Sequence, residues 1–122
     1  FEYSNLQLSA TEAVAGNRID ETILEATVTI TNTGDRAGKE VVQLYISDVE
    51  ATVIRPRKEL KGFEKVELQP GESTTITFAI SAEALAYYDE NASTWAVEGG
   101  EYRVLIGASS RDIRLEESFT LR

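Results

Sequence analysis

Hydrophobic residues recur along this chain at every second position. Leu24, Ala26, Val28 and Ile30 fall in one phase and Glu25, Thr27, Thr29 and Thr31 in the other, which is how a strand with one buried and one wet face reads. Residues 22–31 are predicted as a strand, closed by the turn-forming run Asn32-Thr33-Gly34-Asp35. From Lys39 to Ser47, Val42, Leu44 and Ile46 alternate with Val41, Gln43 and Tyr45. Both phases are rather apolar, as suits a strand inside a sheet. Ile76, Phe78 and Ile80 follow the Pro70-Gly71 turn, and Tyr102, Val104 and Ile106 follow Gly99-Gly100. Residues 3–8, 58–68, 95–98 and 112–121 are shorter or less regular candidates.

Two segments break the phase. Leu60, Val66 and Leu68 share a parity that Phe63 violates, with Gly62 between them, so a bulge is expected there. Near the end Glu117 shares the parity of Ile113, Leu115, Phe119 and Leu121. Either a bulge lies near Glu116 or the Glu117 side chain reaches a rim. Helix is expected only as a turn or two in "SAEALAYYDE", with Ser81 as N-cap and Asp89 ending it. Short strands at regular spacing with Gly, Pro and Asn turns predict an all-β fold: an antiparallel immunoglobulin-like sandwich of about seven or eight strands. No linker or repeat divides residues 1–122, which are expected to form one domain.

Charge and missing residue types narrow the chemistry. Twelve Lys and Arg stand against 21 Asp and Glu, a formal charge of −9, which repels phosphate backbones and anionic lipid; no nucleic-acid or membrane partner is expected. Cys and His are both absent. Disulfides, thiolate metal sites, Ser-His or Cys-His nucleophiles and imidazole ligation are thereby removed, and no cofactor or metal is expected. The chain begins at Phe1 and has no Met, so a processed chain or a piece of a larger protein is expected. Secreted, periplasmic and cytoplasmic locations are all compatible with this composition.

Three stretches, "VTITNTGDRAGKEVVQLYISD", "RPRKELKGFEKVELQPGES" and "VEGGEYRVLIGASSRDIRLEESFTL", occur in an order and spacing that resembles the fibronectin type III-like domain at the C-terminus of glycoside hydrolase family 3 enzymes, chiefly β-glucosidases. The match runs nearly the whole length. It implies a parent that hydrolyses terminal β-linked sugars with an Asp nucleophile and a Glu acid-base in domains not present here, and a domain that packs on and stabilises those catalytic domains. In that family the nucleophile lies in a Ser/Thr-Asp-Trp motif. Ser47-Asp48 is followed by Val49 in this chain, and the role is not carried over to Asp48. The family often has Pro-Gly where this chain has Gly99-Gly100, a less rigid turn.

Each candidate site has a plainer structural alternative. A glycosidase needs two carboxylates flanking a sugar in a cleft, and the acids here fall on solvent-phased positions such as Glu25 or in the turns Asp20-Glu21, Asp89-Glu90 and Glu116-Glu117. The solvated reading is preferred, and no catalytic residue is assigned. Trp95, Tyr87 and Tyr88 are candidate sugar contacts, because aromatic planes stack on the apolar faces of sugars. The preferred alternative has them closing the core under residues 81–94. Tyr102, two residues after Gly100, fits a tyrosine corner. Arg55, Arg57, Lys58, Lys61 and Lys65 read as the charged coat of an edge strand, with Val53, Ile54, Arg55 and Pro56 as candidate domain-interface residues. Asn91-Ala92-Ser93 is a glycosylation sequon, a match that arises often by chance. Besides the accessory-domain reading, a carbohydrate- or surface-binding module with polysaccharide as partner, or an independent adhesion-type sandwich, stays open.

Overall fold

A computed structural model describes residues 1–14, 21–49, 58–89 and 91–122. The alternating segments form two stacked sheets. β1 (Glu2–Leu8), β3 (Thr22–Thr31) and β6 (Ser73–Ser81) make a three-stranded antiparallel sheet in the order β1-β3-β6. The larger sheet has the order β2-β10-β9-β4-β5, from β2 (Glu12–Ala13), β4 (Gly38–Asp48), β5 (Glu59–Leu68), β9 (Gly100–Ser109) and β10 (Asp112–Leu121). Among the described residues its one parallel contact is the short pairing of β2 with the end of β10. β7 (Tyr87–Asp89) and β8 (Thr94–Ala96) form a separate small hairpin.

The predicted phases hold. Leu24, Ala26, Val28 and Ile30 from β3 and Ile76, Phe78 and Ile80 from β6 face Val42, Leu44 and Ile46 from β4 and Tyr102, Val104 and Ile106 from β9 across one buried core. Burial of such side chains is the main favourable term in folding, roughly 1.5–3 kcal/mol each. The chain changes sheet after β1, β2, β3, β5 and β6, passes through the β7–β8 hairpin, and turns back within the larger sheet at β4–β5 and β9–β10. The β5–β6 turn has Pro70 followed by Gly71 at φ +78°, closed by a 3.0 Å bond from the Glu72 N–H to the Gln69 carbonyl, where a β-carbon at residue 71 would be strained.

The bulge expected in β5 is present. Leu44 lies opposite Gly62 and Tyr45 opposite Leu60, so Lys61 is the extra residue. Its effect is to turn Leu60 outward together with Phe63 while Val66 and Leu68 stay inward. At Gly62 an inward β-carbon would lie 3.3 Å from the Phe78 ring; the missing side chain is what lets Phe78 fill the core there. In β10 the irregularities lie between Asp112 and Leu115, and the register is regular from Leu115 to Leu121. Glu117 therefore keeps its inward parity and reaches solvent at the open edge of the sandwich, the second of the two expected outcomes.

The connector after β6 differs from expectation. A 3₁₀ turn covers Ala82–Leu85, Ser81 sits at its N-cap without a side-chain capping bond, and Tyr87–Asp89 continue as a strand rather than as helix. Leu85 is wholly buried, and that anchor outweighs the helical preference of a run too short to nucleate.

Candidate functional site

The small β7–β8 hairpin carries the candidate sugar-contact aromatics and the 3₁₀ turn supplies the groove beside it. Tyr88 and Trp95 are cross-strand partners, and their rings meet edge to face at 5.6 Å and 83°. The expectation that this cluster closes the core is overturned: Trp95 is 62% exposed and Tyr88 50%, with Tyr87 half-buried. Among the described residues β7 and β8 form a two-stranded sheet of their own, apart from the two large ones, while Leu85 and Ala86 of the preceding turn are buried instead. Trp95 borders an open groove of about 480 Å³, together with Lys61, Ser81, Glu83, Ala84 and Ala86. Lys61, the bulged residue of β5, is paired with Glu59 at 2.9 Å.

The groove offers one described carboxylate, Glu83, and a second cleft of about 280 Å³ beside Leu6, Leu8 and Thr11 offers one, Glu117. Retaining chemistry needs two carboxyl groups about 5 Å apart on one sugar, and neither cleft brings two described ones together. Glu25 and Glu116 are exposed, and Asp48 ends β4 opposite Tyr102. Among the described residues no group of three or more Asp or Glu is placed to hold a metal ion. The interface candidates Val53, Ile54, Arg55 and Pro56 lie outside the described residues, as does Arg57.

Tyr102 behaves as a corner residue. Its side chain is wholly buried, its hydroxyl donates to the Glu98 carbonyl at 2.6 Å, and its ring stacks on Phe119 at 5.6 Å. β5, the strand expected to carry an edge coat, is the edge of the larger sheet, and Lys61, Glu64, Lys65 and Glu67 are exposed along it. Phe63 and Leu60 among them are exposed too, at 69% and 50%. The parity break flagged that segment, but which of the conflicting residues would turn outward depended on where the extra residue fell.

The fibronectin type III-like domain profile matches residues 40–110, the span from β4 to the end of β9. The chain belongs to the fibronectin type III-like domain family. This domain is 49% identical over 118 residues, 97% of its length, to the thermostable β-glucosidase B of Acetivibrio thermocellus, and covers 15% of that protein. It superposes on the β-D-glucoside glucohydrolase of Trichoderma reesei with a TM-score of 0.88 at 34% identity, covering 99% of this chain and 18% of that one. For a family 3 β-glucosidase of Bifidobacterium adolescentis the values are 0.83, 41%, 98% and 16%. The fibronectin type III-like domain thus spans about one sixth of the length of these much longer proteins.

Proposed function

We propose that this fibronectin type III-like domain is a non-catalytic accessory unit of a larger β-glucosidase-type glycoside hydrolase of family 3, one that packs on the catalytic domains and stabilises them. The observation that carries this reading is the shape of the match: nearly all of this chain aligns, at close to half identity, with about 15% of a β-glucosidase. A sandwich that fills its interior with side chains and holds single carboxylates in shallow clefts supports scaffolding better than hydrolysis. The test has two arms. The isolated 122-residue chain should not turn over a chromogenic β-glucoside, and turnover that survives purification and disappears on a carboxylate substitution ends the proposal. Deleting the domain from the longer enzyme that carries it should lower that enzyme's Tm; an unchanged Tm and unchanged activity end it equally.

The exposure of Trp95 favours a second reading, a carbohydrate- or surface-binding module. Trp95 supplies an apolar plane, Tyr88 a wall at right angles to it, and Lys61, Ser81 and Glu83 supply polar groups for sugar hydroxyls. Retention of the isolated chain on an insoluble β-glucan, lost in Trp95→Ala with the fold intact, is the expected result. A chain that stays in solution with every polymer tried removes this reading and leaves the first.

A further inference from the structure

The two outward faces of the sandwich are chemically unlike. On the three-stranded sheet the outward positions are Glu25, Thr27, Thr29 and Thr31 of β3, opposite Ala79, Thr77, Thr75 and Ser73 of β6, an ordinary solvent-facing surface of hydroxyls and small groups. On the five-stranded sheet, Val41 lies opposite Lys65, Gln43 opposite Phe63 and Tyr45 opposite both Leu60 and Leu105; Tyr45 is buried and Leu105 partly so, and the apolar side chains left exposed on this outward face belong to β4 and β5. Phe63 is 69% exposed, Leu60 50% and Val41 40%.

The β5 bulge builds this patch. Without the extra residue at Lys61, Leu60 would point inward and Phe63 would lose its apolar neighbour on β5. Scattered exposed hydrophobics need no explanation, but a contiguous group on one face marks a surface that is meant to be covered. Charge is distributed accordingly. On a chain of net −9, Lys65 flanks Phe63 on this face, Arg103 lies beyond Tyr45, and Lys39 and Glu67 are within 4.0 Å of each other. Glu67 opposite Lys39, Glu116 opposite Leu105 and Glu101 in phase with Arg103 share this face, so its local balance is close to neutral against the acidity of the chain as a whole.

We infer that the outward face of β4 and β5, centred on Phe63 and Leu60, is the surface that docks on the catalytic part of the longer enzyme, against an apolar patch. This rests on the accessory-domain reading above. The occupant follows from the length relation: matched chains are more than five times as long as this domain, so a covering surface is held in the same polypeptide at high effective concentration. A second copy of the domain would bring one acidic body against another and has no such tether.

The test is thiol accessibility, since this domain contains no Cys of its own. Phe63→Cys and, as a control on the other face, Thr77→Cys are placed separately in the longer enzyme and in the 122-residue chain, and labelling at each position is followed by peptide mass mapping. The expected result is that position 63 labels about tenfold or more slowly in the longer enzyme than in the isolated chain, while position 77 labels at similar rates in both. Equal labelling at position 63 in the two settings overturns the inference. If that occurs while domain deletion still lowers the enzyme's Tm, the accessory role stands and only the face is wrong; if deletion also leaves Tm unchanged, both fall. Protection of position 63 in the isolated chain that grows with its concentration assigns the face to a second copy and also overturns the proposal. Leu60→Lys guards against a misfolded cysteine variant: it should lower the Tm of the longer enzyme and leave that of the isolated chain within about 1 °C, because exposed positions contribute little alone.

Discussion

The amide of Asn32 reaches three backbone groups. Its Nδ2 donates to the Arg36 carbonyl at 2.8 Å and the Leu68 carbonyl at 3.0 Å, and its Oδ1 accepts from the Gly34 N–H at 2.9 Å. Its main chain adds bonds to Glu72 and Gly71, so one residue joins the turn after β3 to the end of β5 and to the turn that follows. Asn32 is 3% exposed, and water cannot replace what is lost. Asn32→Ala should cost about 3 kcal/mol, read as a lower denaturation midpoint in urea at unchanged slope, because three polar groups lose a partner at once. Asn32→Asp should be no better than Ala: it keeps the acceptor for Gly34 but sets a carboxylate against two carbonyls. A loss under about 0.5 kcal/mol in both would show that the network is dispensable. The turn itself was legible in Asn-Thr-Gly-Asp, since each residue suits a reversal. Its bond to Leu68 was not, because nothing local marks a partner 36 positions away. The exposure of Trp95 is hidden from the sequence for a related reason: a lone Trp is usually buried, and its place on a hairpin separate from the two large sheets is a matter of long-range topology.

Among the elements, the long strands were readable because an amphipathic sheet imposes a period of two on every strand that faces a single core. Residues 22–31 and 112–121 are strands with the predicted limits. What escaped was short: β2 and β7 contain two and three residues, too few for periodicity to register, whereas the turn after Ser81 was expected and only its 3₁₀ form and its end at Leu85 were not. Bulges were foreseeable as phase conflicts, whereas their positions are set by contacts across the ladder. Gly107 illustrates such a contact. A β-carbon there would lie 2.2 Å from the Asp112 carbonyl oxygen and 2.9 Å from the Ile113 Cα, inside the irregular part of the β9–β10 hairpin. Gly107→Ala should therefore destabilise by about 3 kcal/mol, since backbone must shift. Gly62→Ala meets the Phe78 ring at 3.3 Å and Leu44 Cβ at an ordinary 4.0 Å, and should change stability by no more than about 1 kcal/mol, the chain-entropy gain offsetting a small movement of that ring. Equal losses in the two variants would contradict this ranking of backbone over side-chain obstruction.

At the scale of the whole molecule, the first strand is fastened to the opposite sheet by a polar cluster at one end of the sandwich. The Tyr3 hydroxyl donates to Glu40 Oε2 at 3.0 Å, and the Arg114 guanidinium lies 5.1 Å from the centre of the Tyr3 ring. Arg114 makes two bonds to Asp112, at 2.7 and 2.9 Å, and donates to the Phe1 carbonyl at 3.2 Å. Arg114 therefore holds the Asp112 carboxyl below its ordinary range. Tyr3 belongs to β1 in the smaller sheet, while Glu40 and Arg114 belong to β4 and β10 in the larger; the cluster crosses between the layers. Burial first, then the hydrogen bond to Glu40 and its negative charge, raise the Tyr3 pKa above its ordinary value of 10.0. The sign of the consequence follows from proton counting. Below about pH 10 folded and unfolded chains both keep this proton; above it the unfolded chain releases the proton and the folded one does not, so stability falls by about 1.4 kcal/mol per pH unit on account of this residue. Tyr3→Phe lacks that titration. At neutral pH the variant should be less stable by about 1 kcal/mol, for the lost bond to Glu40. As pH rises through about 10 the difference should shrink, and roughly one unit higher it should vanish. Urea denaturation of both proteins between about pH 8 and 11.5 isolates the effect, since every other tyrosine is common to the two. Curves that stay parallel over that interval would mean that the Tyr3 hydroxyl ionises as freely in the folded chain as in the unfolded one, and that the cluster does not join the sheets.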